Sequence, residues 1–259
     1  MVFTGYILGA HLRAFFVLPV QDTIKKGIQM SQLANLLTTL NLFCGFSSVL
    51  LSLAGEFTFS AYAIILSVVL DGFDGQVARK TQAASEFGKE LDSLVDVVSF
   101  GVAPVLLGYI FIYRQFYFLA ITALFIYLLC AVIRLARYNI VTKDCQDNCF
   151  NGLPTTVSGG VLASFVLVCR HKEIAAQSVN LSFIILVLIL ASLMVSRIRY
   201  LNLDGLKRAL GGILKPVIMI ILFVFILVLY FNKVGVLLFS IFLIYLIFSP
   251  FVVKRLNNV

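Results

Sequence analysis

Charge is scarce in this chain. Only 12% of its 259 residues are Asp, Glu, Lys or Arg, about half the share of an ordinary soluble domain. Apolar residues make up 61%, and the mean hydropathy is +1.05. No polar block is long enough to fold separately, which excludes a soluble domain beside the apolar part. No basic stretch interleaved with aromatics occurs, so the net charge of +8 does not point to nucleic acid. Histidine is limited to His11 and His171, both expected far from the acidic cluster below, which argues against histidine catalysis. Cysteine adds little. Cys44, Cys130 and Cys169 lie in or beside apolar runs, where a thiol behaves as a small hydrophobe. Cys145 and Cys149 share the loop "KDCQDNC", without zinc spacing or a nearby histidine. The cytoplasmic position expected for that loop argues against a disulfide.

Long apolar runs dominate instead. Eight spanning helices are expected, at roughly 36–54, 57–78, 91–113, 115–138, 153–169, 180–196, 215–231 and 234–252. The runs lack the alternation of barrel strands, so the class is an all-α polytopic membrane bundle. With the N-terminus inside, sixteen of the twenty Lys and Arg residues fall on one side. Only Arg114, Arg170, Lys172 and Lys233 fall on the other. Positive charge collects on the cytoplasmic side, and that orientation makes the acidic cluster cytoplasmic. The segment "AFFVLPV" is too short to span and has no small-residue cleavage site after it, so a signal peptide is not expected. Two readings of residues 1–32 stay open: an interfacial helix lying on the membrane, or a true start at Met30. No internal repeat and no low-complexity linker is present.

The polar exception is "LDGFDGQVARKTQAASEFGKELDSLVDVVSFG". At 100° per residue, Asp71, Asp74, Gly75, Ala78 and Arg79 share one helix face. Gly88, Asp92, Asp96 and Ser99 share a face on the next helix, and a turn near 81–85 brings the two together. Helix capping or ion pairing does not account for four acids, because Arg79 is the only cation on these faces. Ionisable groups in a membrane are costly and usually functional, and carboxylates this close require a cation. All-oxygen ligation selects Mg²⁺, Ca²⁺ or Mn²⁺ over zinc. Gly75, Ala78 and Gly88 suit close helix packing, and on this face they also leave room for nucleotide phosphates. Two cations about 4 Å apart form a known clamp for displacement at phosphorus.

The pattern Asp71-x2-Asp74-Gly75-x2-Ala78-Arg79-x8-Gly88-x3-Asp92-x3-Asp96 resembles the full signature of the CDP-alcohol phosphotransferase family. The resemblance runs from about residue 33 to about 203 and includes "NLLTTLNLFCGF", "AVIRLARYNI", "NGLPT" and "LMVSRIRY". One departure is "LANLLT", where relatives usually carry a proline before the asparagine. The resemblance implies a six-helix core at 33–203, with 1–32 as an N-terminal segment and 204–259 as a C-terminal helix pair. It also implies a homodimer in the cell (inner) membrane, with a cavity open to the cytoplasm and to lipid.

The reaction implied is transfer of the phosphatidyl group of CDP-diacylglycerol to an alcohol. The flanking stretches favour L-serine as acceptor, giving phosphatidylserine and CMP. By the same resemblance Asp71, Asp74, Asp92 and Asp96 hold Mg²⁺ or Mn²⁺, as two ions. Asp96 also serves as the general base. Asp71, Gly75, Ala78, Arg79 and Gly88 line the CDP site. Arg134 and Arg137 suit a lipid phosphate or the serine carboxylate, and Ser99 suits a substrate contact; anchoring and packing remain their alternatives. Asn151 fits a helix cap, and Arg197 and Arg199 fit either anchoring or anion binding. Glycerol 3-phosphate, an inositol derivative or an archaeal ether lipid would keep the same chemistry. A cation transporter is the alternative of another class, but it needs polar groups at mid-membrane depth on several helices.

Overall fold

The computed structural model describes residues 34–81, 86–112, 117–141, 149–172, 176–201 and 234–256. The N-terminal segment to residue 33, the expected span 215–231, the turn 82–85 and Cys145 lie outside them. Seven of the eight expected spans are helices: α1 (Ala34–Leu53), α2 (Phe57–Thr81), a third span that contains a π turn, α5 (Tyr117–Val141), α6 (Thr155–Lys172), α7 (Ala176–Val195) and α8 (Val234–Leu256). Five of these are long and apolar enough to cross a membrane, while α6 and α7 carry shorter apolar stretches. Large apolar side chains such as Phe43, Phe59, Phe118 and Phe251 face outward, which suits a lipid surround. The chain is a membrane protein.

Glycine sets the exit from α1. Gly55 has φ +80°, its N–H bonds to Ser52 O at 3.0 Å, and Glu56 N–H bonds to Leu51 O at 2.9 Å. That pair of bonds is a Schellman cap, and a residue without Cβ adopts the left-handed conformation at little cost. α2 can therefore start at once and run back antiparallel beside α1.

The third span, expected as one helix, is continuous but carries a π-helical turn. α3 (Glu86–Asp96) passes into a π-helical turn at Val97–Val102, then α4 (Ala103–Phe111). The physical reason is Pro104, which lacks the N–H that would otherwise serve the carbonyl of Phe100. Tyr127 of α5 supplies the missing donor, its hydroxyl bonding to Phe100 O at 3.0 Å. The extra residue of the π turn also shifts the helix phase at the point where the acidic face meets the core.

α6 is the central helix, packed against α2, α4, the π turn, α7 and α8. Two adjacent glycines make this possible. A Cβ at Gly159 would lie 3.2 Å from Phe100, and one at Gly160 would collide with the Phe242 ring of α8. α8, beyond the expected boundary at 203/204, thus packs directly on the core, with Phe239 edge-on to Phe165 at 5.7 Å.

An antiparallel strand pair, β1 (Cys149–Asn151) with β2 (Arg199–Leu201), was not expected. It lies outside the helices and ties the entrance of α6 to the exit of α7. Asn151 is an exposed strand residue opposite Arg199, not the cap of α6, which begins four residues later. Gly152 follows with φ +80°, against the carbonyl of Met194.

Gly160→Leu should push α8 off α6 and destabilise the protein by about 1–3 kcal/mol, read as a lower unfolding temperature in detergent. Gly72→Ala, whose Cβ meets open space, should leave that temperature unchanged or slightly higher.

Candidate functional site

α2 carries Asp71 and Asp74, and α3 carries Asp92 and Asp96. One carboxylate oxygen from each of Asp71, Asp74 and Asp92 lies within 4.8 Å of the others. Asp96 joins them by side-chain contact with Asp71. Asp74 and Asp96 are buried, at 4% and 8% exposure, while Asp71 and Asp92 are half-buried at the rim. The helical phase expected from the sequence is therefore realised across two helices.

α1 holds the cluster from below, a role the sequence reading did not assign. Thr38 shares its hydroxyl between Ala34 O at 3.0 Å and Asp74 Oδ2 at 3.3 Å. One turn on, the fully buried Asn41 accepts the Ser67 hydroxyl of α2 through both Oδ1 and its own carbonyl. The Ser99 hydroxyl of the π turn donates to that same carbonyl at 3.2 Å. Gly45 completes the face, since a Cβ there would come 2.8 Å from the Ser99 Cα. Thr38, Asn41 and Gly45 recur at three- and four-residue steps in "NLLTTLNLFCGF". That polar stripe in an apolar helix was the signal available for finding them.

A cation reaches the cluster from α5. Arg134 of α5 donates from Nη1 to Thr155 Oγ1 at 3.1 Å, and its guanidinium faces Asp96 and Asp71. Arg137, one turn further along, is exposed. Below the cluster, Ser93 donates to Asn139 Oδ1 at 3.1 Å, and Asn139 Nδ2 donates to Glu90 Oε2 at 3.3 Å, lacing α3 to α5. Gly75 and Gly88 lie on α2 and α3 beside the acids. Ala78 and Arg79 are on α2, with side chains outside the described residues.

Among the described residues, the guanidinium of Arg134 faces this group of four carboxylates. Asp92 Oδ1, Asp96 Oδ1, Asn41 Nδ2 and Arg134 Nε are buried without a hydrogen-bond partner. Leaving such atoms unpaired costs about 1–3 kcal/mol each, so the site is built for something that completes it. Oxygens around a divalent ion sit about 2.0–2.6 Å from it, so ligands sharing one ion lie no more than about 5 Å apart. Asp71, Asp74 and Asp92 meet that condition, and the all-oxygen donor set suits a hard divalent cation.

The family model for CDP-alcohol phosphatidyltransferase matches residues 31–182, a span that contains every acid of the cluster. The chain is 35% identical over 175 residues to the CDP-diacylglycerol–serine O-phosphatidyltransferase of Helicobacter pylori, covering 67% of this chain and 73% of the relative. It is 35% identical over 184 residues to the archaetidylserine synthase of Methanothermobacter thermautotrophicus, covering 70% and 75%. A CDP-diacylglycerol–serine O-phosphatidyltransferase of Bacillus subtilis is 30% identical over 171 residues, covering 66% of this chain and 90% of the relative.

Saturating Mn²⁺ or Mg²⁺ should raise the unfolding temperature of the purified protein, since ligand at a hundred times its Kd stabilises by about 2.7 kcal/mol. Asp92→Asn should be more stable than the wild type in chelator, because one repelling charge is gone, yet gain little from the ion. An equal ion-induced rise in both proteins would contradict the cluster as the binding site.

Proposed function

This chain belongs to the CDP-alcohol phosphatidyltransferase family, and from that premise we propose that it transfers the phosphatidyl group of CDP-diacylglycerol to the hydroxyl of L-serine. The products are phosphatidylserine and CMP. The observation that carries this reading is the meeting of the Asp71, Asp74 and Asp92 oxygens, with Asp96 buried beside them. Serine is favoured as acceptor because the relatives from Helicobacter pylori, Methanothermobacter and Bacillus are all named for serine-linked products.

Asp71, Asp74, Asp92 and Asp96 would hold Mg²⁺ or Mn²⁺, as two ions by family analogy. Bound there, the cations would offset the charge of the CDP diphosphate and of the departing CMP. Gly75, Ala78, Arg79 and Gly88, together with Asp71, would line the path of the nucleotide. Asp96 takes the proton from the serine hydroxyl, which is too weak a nucleophile without a base. The serine oxygen forms its bond to phosphorus as the bond to CMP breaks, and CMP leaves with the electron pair. Arg134, held on Thr155, places a positive charge beside Asp96. It would restrain an anionic group of the substrate as well.

The same reading gives a homodimer in the cell (inner) membrane, with the site open to the cytoplasm. It rests on the asymmetry of Lys and Arg and on the family. A second reading concerns the lipid alone. The archaetidylserine synthase matches as well as the bacterial enzymes do, so an ether-linked CDP-lipid is the competing donor.

The test is incorporation of label by purified protein with Mg²⁺ or Mn²⁺, offering serine, glycerol 3-phosphate and inositol phosphate, with ester- and ether-linked CDP-lipids. Labelled serine should enter lipid in a chelator-sensitive way. Incorporation of glycerol 3-phosphate alone would overturn the acceptor. Asp96→Asn should cut kcat by at least about a hundredfold while metal-dependent CDP-lipid binding persists. Asp71→Asn should instead raise the metal concentration needed for half-maximal rate.

A further inference from the structure

Two hydrogen bonds fix how α5 lies along the third span. Ser93 Oγ of α3 donates to Asn139 Oδ1 at 3.1 Å, and the Tyr127 hydroxyl donates to Phe100 O at 3.0 Å. The two helices therefore run antiparallel, and Arg134, between Asn139 and Tyr127, comes level with Asp96. A second pair of bonds ties α5 to the head of α6. Tyr127 Oη meets Ser158 Oγ at 3.0 Å, and Arg134 Nη1 donates to Thr155 Oγ1 at 3.1 Å. Tyr127 and Arg134 lie two helical turns apart, Thr155 and Ser158 one, so each pair shares a face of its helix.

Thr155 is itself held on both sides. It is 1% exposed, and its carbonyl accepts the Ser158 hydroxyl at 2.8 Å. Just ahead of it, Gly152 N–H bonds to Ile198 O at 2.8 Å and Leu153 N–H to Leu193 O at 3.0 Å. The entrance of α6 is thus moored to the exit of α7 before Thr155 is reached. Arg134 commits Nη1 to this fixed hydroxyl, while its Nε is buried with no hydrogen-bond partner. The free side edge of a guanidinium, formed by Nε and Nη2, offers two parallel N–H groups, and a carboxylate accepts both at once. Thr155 sets the plane of the guanidinium without occupying that edge. The acceptor in the proposed reaction carries a carboxylate two bonds from the carbon that bears its reacting hydroxyl. An arginine level with Asp96 could hold that carboxylate while Asp96 takes the hydroxyl proton.

We propose that Thr155 is a positioning residue, which orients Arg134 so that its free edge binds the carboxylate of the amino-acid acceptor. This inference rests on serine being the acceptor. Without the Thr155 hydroxyl the guanidinium would rotate about its last bonds and turn toward Asp96, and the carboxylate would meet a less ordered partner.

The experiment measures KM for L-serine, KM for CDP-diacylglycerol and kcat in wild type, Thr155→Val and Thr155→Ser. Valine keeps the shape of threonine and removes the hydroxyl, whereas serine keeps the hydroxyl; Thr155→Ala is the second hydroxyl-free variant should Thr155→Val fail to fold. Unfolding temperatures close to that of wild type establish that the variants compared are folded. Thr155→Val should raise KM for serine about tenfold, the size expected for a hydrogen bond to a charged group. KM for CDP-diacylglycerol should stay as in wild type, and Thr155→Ser should restore KM for serine. In wild type, L-serinamide, which keeps the hydroxyl and amine but has no carboxylate, should be used with kcat/KM at least about tenfold below that of serine. An unchanged KM for serine in a folded hydroxyl-free variant would overturn the inference. So would a rise confined to KM for the CDP-lipid, which would assign Arg134 to the lipid phosphate, or equal use of serine and serinamide by wild type. If wild type transfers nothing to serine, the acceptor reading itself falls and takes this one with it.

Discussion

Mutual repulsion among four carboxylates is the constraint on which the rest of this structure depends. Charges about 4 Å apart repel by roughly 4 kcal/mol at an effective dielectric near 20, and burial of Asp74 and Asp96 worsens their solvation. A membrane helix pair would relax that strain by rotating or separating. It does not, because the surrounding helices are held by contacts that have nothing to do with charge. The cluster is thus kept strained and ready for cations, in the way that functional sites commonly store unfavourable energy.

Three devices supply the restraint. The polar stripe of α1 ties α2 and the π turn to one backbone carbonyl, that of Asn41. Pro104 leaves the Phe100 carbonyl without its helical donor just past the acids, and Tyr127 satisfies that carbonyl. The glycine pair of α6 lets the π turn and α8 approach the same helix from two sides. Each uses small or hydroxyl-bearing residues, which suits a setting where helix association relies on close packing and interhelical hydrogen bonds.

Much of this was legible in the sequence, for identifiable reasons. The helices follow from the lengths of the apolar runs, and the acidic stripes follow from three- and four-residue spacing, since both depend only on helical period. The π-helical turn within the third span was not expected, because an apolar run does not reveal which carbonyl a proline will orphan. Thr38 and Asn41 were within a quoted stretch, but their roles depend on which face of α1 meets α2, a tertiary matter. Arg134 was singled out, whereas its hydrogen bond to Thr155 depends on how α5 meets the head of α6, again a tertiary matter. The β1–β2 pair is too short to leave a periodic signal at all.

The most direct measurement of the central claim is anomalous diffraction from crystals of the protein grown with Mn²⁺ and a CDP-lipid. The account predicts manganese peaks among Asp71, Asp74, Asp92 and Asp96, about 2.0–2.4 Å from their oxygens, with the nucleotide diphosphate against them. Carboxylates that hold no metal while the nucleotide is bound, or a nucleotide seated elsewhere, would contradict it.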